Sequence, residues 1–275
     1  MMESVHPDCQ GTEIDGIVHC DSCGKPRQAI INILGRPRKQ WIMCDCMVQK
    51  SLNDEQEYRM RLQREKIERL RVAGLPTAEL RTQTFANDNG RQAENMKLCR
   101  EYVNRFDEVY NAGTLLLLYG PNGTGKSYAA NCIANALIDK GIPVLITSFH
   151  IIAEAVMAAP FDERAAYYAA LNNYPLLVID DLGAERNTEF MEEVIFRVFN
   201  DREISKKPMV CSTNMGIEFF KNPPDDGWRR ICSRLFKKCF PVKFDGADQR
   251  KNSFTEHFKS MNDILRPRDE NAGVK

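Results

Sequence analysis

The hydrophobic and polar positions of the chain form a repeating pattern in its second half. Four short apolar runs, each bounded by glycine, proline or polar residues, lie at 114–119, 144–147, 176–181 and 209–214. Runs of this length are typical of buried strands. Segments with helical periodicity lie between them, at 128–138, 151–159, 162–172 and 190–204. This alternation predicts an α/β fold with a central parallel sheet, right-handed crossovers and a ligand at the carboxyl ends of the strands.

The N-terminal third of the chain has a different pattern. Residues 29–34 and 40–43 predict two short strands joined by a turn at 35–38. Residues 47–71 are rich in Gln, Glu, Lys and Arg without Gly or Pro, and they predict one long helix with a sparse apolar stripe. Such a helix is either a solvated connector or a surface that binds a partner. A further helix is predicted at 92–110, just before the first apolar run.

Composition narrows the classes of protein that need to be considered. The hydrophobic fraction is 43% and the charged fraction 28%, which is ordinary for a globular protein of 275 residues with one core and a smaller appendage. The formal net charge is zero, so a surface for nucleic acid must be local. No apolar run approaches the roughly 20 residues that span a bilayer, and no secretory signal is visible. We therefore expect a cytoplasmic protein with no membrane partner.

The first apolar run leads directly into a glycine-rich loop, Gly-Pro-Asn-Gly-Thr-Gly-Lys-Ser, at 120–127. Strand, loop, lysine, hydroxyl and helix is the context that a phosphate-binding loop requires, because glycines let several backbone N–H groups point at the phosphates. Lys126 is expected to reach the β- and γ-phosphates of a nucleotide, and the Ser127 hydroxyl to bind Mg²⁺. The predicted nucleotide-binding residues are Gly120, Asn122, Gly123, Thr124, Gly125, Lys126 and Ser127.

Two of the later apolar runs end in polar side chains that suit hydrolysis. Asp180 is expected to share the Mg²⁺ with Ser127, and Asp181 to orient or activate the attacking water. Asn214 follows the last run and could hydrogen-bond the γ-phosphate or that water. The alternative is that the two carboxylates only cap the loop after a strand, and Glu185 is a rival for the role of base.

Five of the ten cysteines lie within the first 46 residues, which indicates a separate module. The pairs Cys20/Cys23 and Cys44/Cys46 can supply four thiolates to a structural Zn²⁺, which would replace a core that so short a segment cannot build. One residue separates the second pair instead of two, so His19 and Cys9 are spare candidates. The alternative is a set of reduced cysteines without metal.

A basic segment follows the last apolar run. Between residues 229 and 250 there are seven Lys or Arg and two Asp, and residues 227–238 predict a helix. Arg230 and Arg234 are four residues apart and share a helical face. This face is either solvated or supplies an arginine to the γ-phosphate of a neighbouring subunit.

Together these motifs resemble those of the AAA+ ATPases. The loop, residues 176–181, residues 212–214 and residues 230–235 look like the Walker A, Walker B, sensor 1 and arginine-finger elements. The Gly-Leu-Pro and Thr-Phe lead-in before the domain and the cysteine-rich start are similar to the DnaC/DnaI helicase-loader family, including phage-encoded forms. The IstB-type ATPases, which are helpers of transposases, share the same ATPase motifs.

We expect four parts: a zinc-binding module (1–46), a linker helix and crossing (47–90), a domain that the resemblance identifies as AAA+ (91–265), and a polar, disordered tail (266–275). The resemblance implies a slow, switch-like ATPase that loads the replicative DNA helicase, holding it through the N-terminal module. The AAA+ domains are expected to assemble head-to-tail, with Arg234 or, less so, Arg230 completing a neighbour's site.

The resemblance also implies that single-stranded DNA binds the AAA+ domain at the insertion 151–172. Tyr167 and Tyr168 of this insertion could stack on bases or pack against the core. No C-terminal lid domain follows the basic helix, which leaves the contacts to adenine unassigned. Two alternatives remain: an IstB-type helper, which would lack the cysteine module, and an adaptor with a vestigial ATPase, which the intact phosphate loop and carboxylates disfavour.

Overall fold

A computed structural model of the chain describes residues 11–184, 188–248, 258–262 and 264–265. The chain forms two compact units, which divide between Glu65 and Lys66. In the described part of the chain, no helix has both the length and the apolar character needed to cross a membrane. The spare ligand Cys9, the rival base Glu185 and the predicted tail at 266–275 lie outside the described residues.

The first unit is built from two antiparallel hairpins. One pairs β1 (Gly11–Ile14) with β2 (Ile17–Cys20), and the other pairs β3 (Gln28–Ile33) with β4 (Arg36–Trp41). Each turn has two residues with positive φ, namely Asp15 and Gly16 in the first hairpin, and Leu34 and Gly35 in the second. Two such residues form the turn whose twist matches the flanking strands.

The predicted strands of this unit were only partly correct. The first hairpin was not predicted, although Asp-Gly is a strong signal for such a turn. The turn at 35–38 was also wrong, because β4 already begins at Arg36 and includes Pro37. Proline is tolerated there because the outer edge of a two-stranded sheet needs no backbone N–H.

The predicted long helix is confirmed as α1 (Asp45–Gly74), which has 30 residues. Ion pairs four residues apart, Glu55 with Arg59 and Arg61 with Glu65, stabilise its exposed surface. Its apolar side chains Leu52 and Leu62 are about half exposed. Within the second unit, Gly74 is buried so closely against the carbonyl oxygen of Val144 that a side chain would clash with it.

The second unit contains a five-stranded parallel sheet. Its strands are β5 (Leu115–Tyr119), β6 (Val144–Thr147), β7 (Leu176–Leu182), β8 (Met209–Thr213) and β9 (Cys239–Lys243), in the order β6-β7-β8-β5-β9. The first four confirm the four apolar runs. The fifth was missed because it is a partly exposed edge strand with a central proline and no long apolar run. The order places β8 between the phosphate-loop strand β5 and the aspartate strand β7.

Helices cover both faces of this sheet. They are α2 (Ala78–Thr82), α3 (Ala93–Asn104), α4 (Phe106–Ala112), α5 (Lys126–Asp139), α6 (Phe149–Ala158), α7 (Arg164–Asn173), α8 (Glu189–Ser205), α9 (Ile217–Lys221) and α10 (Asp226–Leu235). The single helix predicted at 92–110 is interrupted at Arg105, where the backbone leaves the helical conformation. Successive leucines of β5 alternate between two cores: Leu116 and Leu118 face α3 and α5, whereas Leu115 and Leu117 face α6, α8 and α10.

Candidate functional site

The glycines of the phosphate loop adopt conformations that other residues avoid. Gly120, Gly123 and Gly125 have φ values of 144°, 72° and 98°. A Cβ on Gly120 would lie 1.9 Å from the carbonyl oxygen of Phe244, and one on Gly123 would lie 1.7 Å from a carboxylate oxygen of Asp248. The loop therefore needs glycine both for its backbone conformation and for its close neighbours.

Lys126 is the first residue of α5, and its amine closes the loop from inside. Its Nζ donates hydrogen bonds to the carbonyl oxygens of Gly120 at 2.8 Å and Pro121 at 2.7 Å, and to Oδ1 of Asn214 at 2.8 Å. The fully buried Thr124 hydroxyl donates to the same Pro121 carbonyl at 2.9 Å. The amine is held where an anion bound to the loop would meet it, at the N-terminus of a helix.

The two carboxylates at the end of β7 are presented by a β-bulge. The register of β7 against β8 shifts between Ile179 and Leu182, which leaves Asp180 and Asp181 opposite the single residue Ser212. The backbone of Asp181 has a φ of 62°, which is rare outside glycine, asparagine and aspartate. Bulges re-aim side chains at the ends of strands, and this one turns two neighbouring carboxylates towards the same edge of the sheet.

Ser212 fixes both residues of the bulge, and the sequence interpretation missed it as a functional residue. Its fully buried hydroxyl accepts a hydrogen bond from the backbone N–H of Asp181 at 2.9 Å and donates one to the Asp180 carboxylate. A serine inside a buried strand is a weak signal in the sequence. The bulge that gives it a role arises from pairing with β7, which the sequence of β8 does not reveal.

Asn214 joins the two halves of the site. Its Oδ1 accepts from Lys126, and its Nδ2 donates to Oδ1 of Asp181 at 3.0 Å. This bridge is possible because β8 lies between β5 and β7 in the sheet. The predicted site residues Lys126, Asp180, Asp181 and Asn214 are therefore brought together at the carboxyl edge, with Ser127 beside them.

These residues line a cleft of about 380 Å³. Its walls are Glu79, Leu80, Gln83, Asn122, Gly123, Gly125, Lys126, Ser127, Tyr128, Asn131, Asp180, Asp181 and Asn214. A hydroxyl and carboxylates beside a phosphate loop are suitable oxygen ligands for Mg²⁺, so Ser127 and Asp180 could hold that ion. Glu79 also lines the cleft and was not predicted from the sequence.

One wall of the cleft comes from the segment before the AAA+ motifs. The side-chain amide of Asn135 donates to the carbonyl oxygens of Leu80 at 2.8 Å and Gln83 at 2.9 Å, and Asn131 donates to the Gln83 side chain at 2.7 Å. The Tyr128 hydroxyl donates to the carbonyl of Thr84 at 2.8 Å, and burial raises the pKa of Tyr128 to about 12. The tyrosine therefore stays a protonated donor at neutral pH. Polar side chains of the loop helix hold this segment over the site.

Neither of the two candidate arginines lines this cleft. Arg234 donates from Nη1 to Oε2 of Glu203 at 3.3 Å, and Lys237 contacts the same carboxylate. Lys237 and Arg234 together lower the pKa of Glu203, so the carboxylate stays charged. The Arg230 guanidinium is exposed and lies 4.5 Å from the ring centre of Phe196. Neither arginine takes part in the cleft of its own chain, and a role of either one in a neighbour's site stays a prediction.

The four cysteines of the first unit form one cluster. Cys20 ends β2, Cys23 lies in the following turn, and Cys44 and Cys46 flank the start of α1. Their sulfur atoms all lie within 4.8 Å of one another, with the Cys46 sulfur at 3.4, 3.2 and 3.5 Å from those of Cys20, Cys44 and Cys23. A tetrahedral Zn²⁺ with Zn–S bonds of about 2.3 Å needs sulfur separations of about 3.8 Å. The donor set therefore fits zinc.

The cysteines of the cluster influence one another's protonation. The backbone N–H groups of Cys23 and Ser22 and the neighbouring Cys46 thiol lower the pKa of Cys20 to about 6, whereas hydrogen bonds with the other three cysteines raise the pKa of Cys46. His19, a spare candidate, is outside the cluster and its Nδ1 contacts the carbonyl oxygen of Ile17 at 3.0 Å.

The two tyrosines of the insertion, Tyr167 and Tyr168, pack against the core, which is the second of the two alternatives that the sequence left open. Tyr168 is 6% exposed and lies beneath the guanidinium of Arg197, and Tyr167 packs against the same core. The exposed aromatic side chain of the insertion is Phe161, at 86%, with the Arg164 guanidinium 6.0 Å from its ring centre. Phe161 stands alone between a proline and an aspartate, so no periodicity indicates its exposure.

Comparison with known sequences places residues 40–255 of the chain in one family. The family model described as IstB-like ATP binding protein matches residues 40–255. The replicative helicase loader DnaC of Escherichia coli K12 is 30% identical over 130 residues, which cover 46% of this chain and 52% of the relative. The loader DnaI of Bacillus subtilis is 26% identical over 164 residues, covering 54% and 53%. The chain thus spans about half the length of these curated relatives.

Comparison of structures supports the fold. The crystal structure of the DnaC helicase loader superimposes with a TM-score of 0.51 and 21% sequence identity, covering 57% of this chain and 92% of the other. The predicted AAA+ P-loop domain with a central parallel sheet is therefore confirmed. The matched family and the predicted resemblance agree.

Proposed function

Because this chain belongs to the IstB-like ATP-binding protein family, we propose that it is an ATP-dependent loader of the replicative DNA helicase. The observation that carries this proposal is that one chain combines a phosphate-loop cleft with a four-thiol module. The cleft supplies a switch, and the module supplies a separate unit that can bind a partner. Two relatives matched over about half their length are named as loaders, which supports the same role.

The chemistry of the cleft is that of an ATPase. The loop N–H groups and Lys126 would bind the β- and γ-phosphates of ATP, and Ser127 and Asp180 would hold the Mg²⁺ that neutralises charge on those phosphates. Asp181, which accepts a hydrogen bond from Asn214, would accept a proton from the attacking water or orient it. Ser212 fixes the direction of both carboxylates.

The contact between Lys126 and Asn214 suggests how nucleotide acts as a switch. The Lys126 amine donates hydrogen bonds to two loop carbonyls and to Asn214. Phosphate oxygens would compete for this amine, because hydrogen bonds between ionised groups are stronger than those to neutral acceptors. Asn214 would then be released towards Asp181 and the γ-phosphate. Binding of ATP is thus coupled to the end of β8, which is consistent with slow, switch-like hydrolysis.

The remaining roles are assigned to other surfaces of the chain. We assign helicase binding to the N-terminal module, stabilised by zinc on Cys20, Cys23, Cys44 and Cys46. Arg234 would complete the site of the next subunit in a head-to-tail assembly. Single-stranded DNA would contact the insertion at Phe161, where an exposed ring next to the Arg164 guanidinium can stack on a base while the arginine approaches a phosphate.

The test is reconstitution with the purified replicative helicase of the organism that carries this gene. We expect the full chain to co-elute with the helicase and to place it on circular single-stranded DNA in the presence of ATP and Mg²⁺. Lys126→Ala should weaken ATP binding by roughly 10- to 150-fold, since hydrogen bonds to charged groups contribute about 1.5–3 kcal/mol, and should abolish loading. Lys97→Ala, an exposed lysine of α3, is the matched control. Helicase that neither binds nor loads would refute the proposal.

A second candidate is an ATPase helper of a transposase, which the name of the matched family favours. Such a helper would act on duplex target DNA. Tighter binding to duplex than to single-stranded DNA, together with a complex with an insertion-sequence transposase, would support this candidate over the loader.

A further inference from the structure

We propose that one face of the β3–β4 hairpin is the surface through which the N-terminal module binds its protein partner, and that the partner presents an apolar patch rimmed by carboxylates. This hairpin surface consists of Ile31, Ile33, Leu34, Arg36 and Arg38. The proposal rests on the loader function, in which the partner is the replicative helicase, and it adds which residues of the module contact that partner.

The hairpin surface exposes apolar side chains that a folded module would normally cover. Ile31, Ile33 and Leu34 are 39%, 45% and 98% exposed. In the register of the hairpin, Ile31 lies opposite Arg38 and Ile33 lies opposite Arg36, so all four share one face. A row of isoleucines next to a row of arginines is therefore open to solvent. Exposed apolar patches with a polar rim mark interaction sites.

Leu34 occupies a backbone conformation that favours other residues. Its φ is 51°, in the left-handed region where Asn, Asp or Gly is strongly preferred in such a turn. The first hairpin of the same module has Asp15 at the equivalent position, with a φ of 49°. A fully exposed leucine in this conformation costs stability and gains no burial. Strain of this kind persists where it serves binding.

The charge of the hairpin selects an acidic partner. Residues 25–43 contain five basic side chains (Lys25, Arg27, Arg36, Arg38 and Lys39) and no Asp or Glu. Lys25 is paired with Asp45, and Lys39 lies 3.9 Å from Glu13. Within the described ranges of the chain, Arg36 and Arg38 form no ion pair. These two guanidinium groups are available for carboxylates of a partner, and arginine is favoured in such interfaces.

Two features of the hairpin decide against other modes of binding. Pro37, the second residue of β4, removes a backbone N–H from this edge, which disfavours the addition of a partner's strand along it. Binding of single-stranded nucleic acid relies on aromatic rings that stack on bases. The aromatic residue of this hairpin is Trp41, which lies on the opposite face of β4 from Arg36 and Arg38 and is therefore not part of the hairpin surface. The aliphatic row instead matches an apolar protein surface.

The experiment measures affinity for the purified helicase with three full-length variants. Leu34→Asn removes the apolar tip and introduces a residue that suits positive φ. Its melting temperature should therefore equal or exceed that of the wild type, and its zinc content should be unchanged. Its affinity for the helicase should nevertheless fall at least about 10-fold. The double variant Arg36→Glu, Arg38→Glu should bind at least about 10-fold more weakly, and its binding should depend less on salt. Lys97→Glu, a charge reversal on α3, should bind as the wild type does.

The outcomes separate this proposal from the loader function. Wild-type affinity in both hairpin variants would overturn the hairpin surface and leave the loader function standing. If the hairpin variants bind helicase normally but lose binding to single-stranded DNA, the hairpin surface binds nucleic acid and the proposal of a protein partner is overturned. Failure of the wild-type chain to bind helicase would overturn the loader function and this surface together.

Discussion

The carboxamide of Asn214 connects the Lys126 amine to the Asp181 carboxylate, the candidate base of the nucleotide site. One atom of this group accepts from Lys126 and the other donates to Asp181, so each side chain limits the position of the others. Ser212 does the same for Asp180 and the backbone of Asp181. At the residue scale, two polar side chains therefore hold the carboxylates in place, Ser212 at both residues of the bulge and Asn214 between Asp181 and Lys126.

Ser212→Ala tests this view. The substitution removes one acceptor and one donor from the bulge, so we expect the rate of ATP hydrolysis to fall about 10-fold or more, as for other residues that orient metal-binding groups. Affinity for ATP should change by less than about 3-fold, because the phosphate loop is intact. Phosphate release at saturating ATP and equilibrium titration separate the two effects. Ser205→Ala, at the end of α8, serves as the control, and an unchanged rate in Ser212→Ala would contradict the assignment.

Helix α10 carries two arginines, Arg230 and Arg234, that could either pack within their own chain or act on the nucleotide of a neighbouring subunit. Arg234 contacts Glu203 of α8, whereas Arg230 lies over a ring of the same helix. An arginine finger accelerates hydrolysis only in an assembled state, because it acts on a neighbour's phosphate. In the isolated chain, the ion pair with Glu203 holds Arg234 against α8.

Arg234→Ala should leave ATP affinity of the isolated chain unchanged and lower hydrolysis in the assembled state by about 10³-fold or more. Arg229→Ala, which removes an exposed arginine paired with Asp226, is the matched control. Single-turnover hydrolysis is measured at protein concentrations below and above assembly. Equal rates for Arg234→Ala and the wild type in the assembled state would exclude this finger, and a large loss in Arg230→Ala instead would transfer the role to that residue.

The N-terminal hairpins form an element that we expect to depend on metal. Elemental analysis of the purified chain should give about one zinc per chain, because four clustered thiols can bind the ion and the bound ion would replace the missing core of the module. Cys44→Ser should lose most of this zinc and the fold of the module, whereas Cys239→Ser, in β9, should retain it. Absence of zinc from wild-type protein prepared without chelators would contradict the metal site.

At the scale of the whole molecule, the segment between the predicted linker helix and the predicted AAA+ domain packs into the second unit. Leu75 is fully buried in the core that also contains α3 and α5, and Ile67 and Leu70 pack against it. The division of the contacts falls between Glu65 and Lys66, so residues 66–90 are structurally part of the nucleotide-binding unit. These residues also provide one wall of the cleft.

Leu75→Ala should therefore destabilise the unit that binds ATP. Truncation of a buried leucine costs about 2–5 kcal/mol, which corresponds to a fall of roughly 5–15 °C in melting temperature for a unit of this size. The relevant calorimetric transition is the one that ATP shifts upward. Leu52→Ala, at a half-exposed position of α1, should leave this transition unchanged. Equal effects of the two substitutions would show that the segment is a linker.

Local motifs were predictable from the sequence because contiguous residues determine their geometry. The phosphate loop, the four apolar strands, the long helix α1 and the cysteine pairs each depend on residues close along the chain. The strand β9 and the break at Arg105 were missed, since an exposed edge strand and a short helical interruption have weak patterns. The tyrosines of the insertion show the same limit, because periodicity does not reveal which aromatic side chain faces solvent.

The sequence by itself determined the phosphate loop, the strand that ends in Asp180 and the four-cysteine segment, and from these it predicted a nucleotide site with Lys126, Ser127 and Asp180. Only the tertiary structure decided how these residues cooperate. The bulge that aims Asp180 and Asp181, the bridge through Asn214 and the buried Ser212 all depend on the pairing of β8 with β7 and on its position beside β5. Strand order and register arise from contacts between residues far apart in the chain, and no local pattern specifies them.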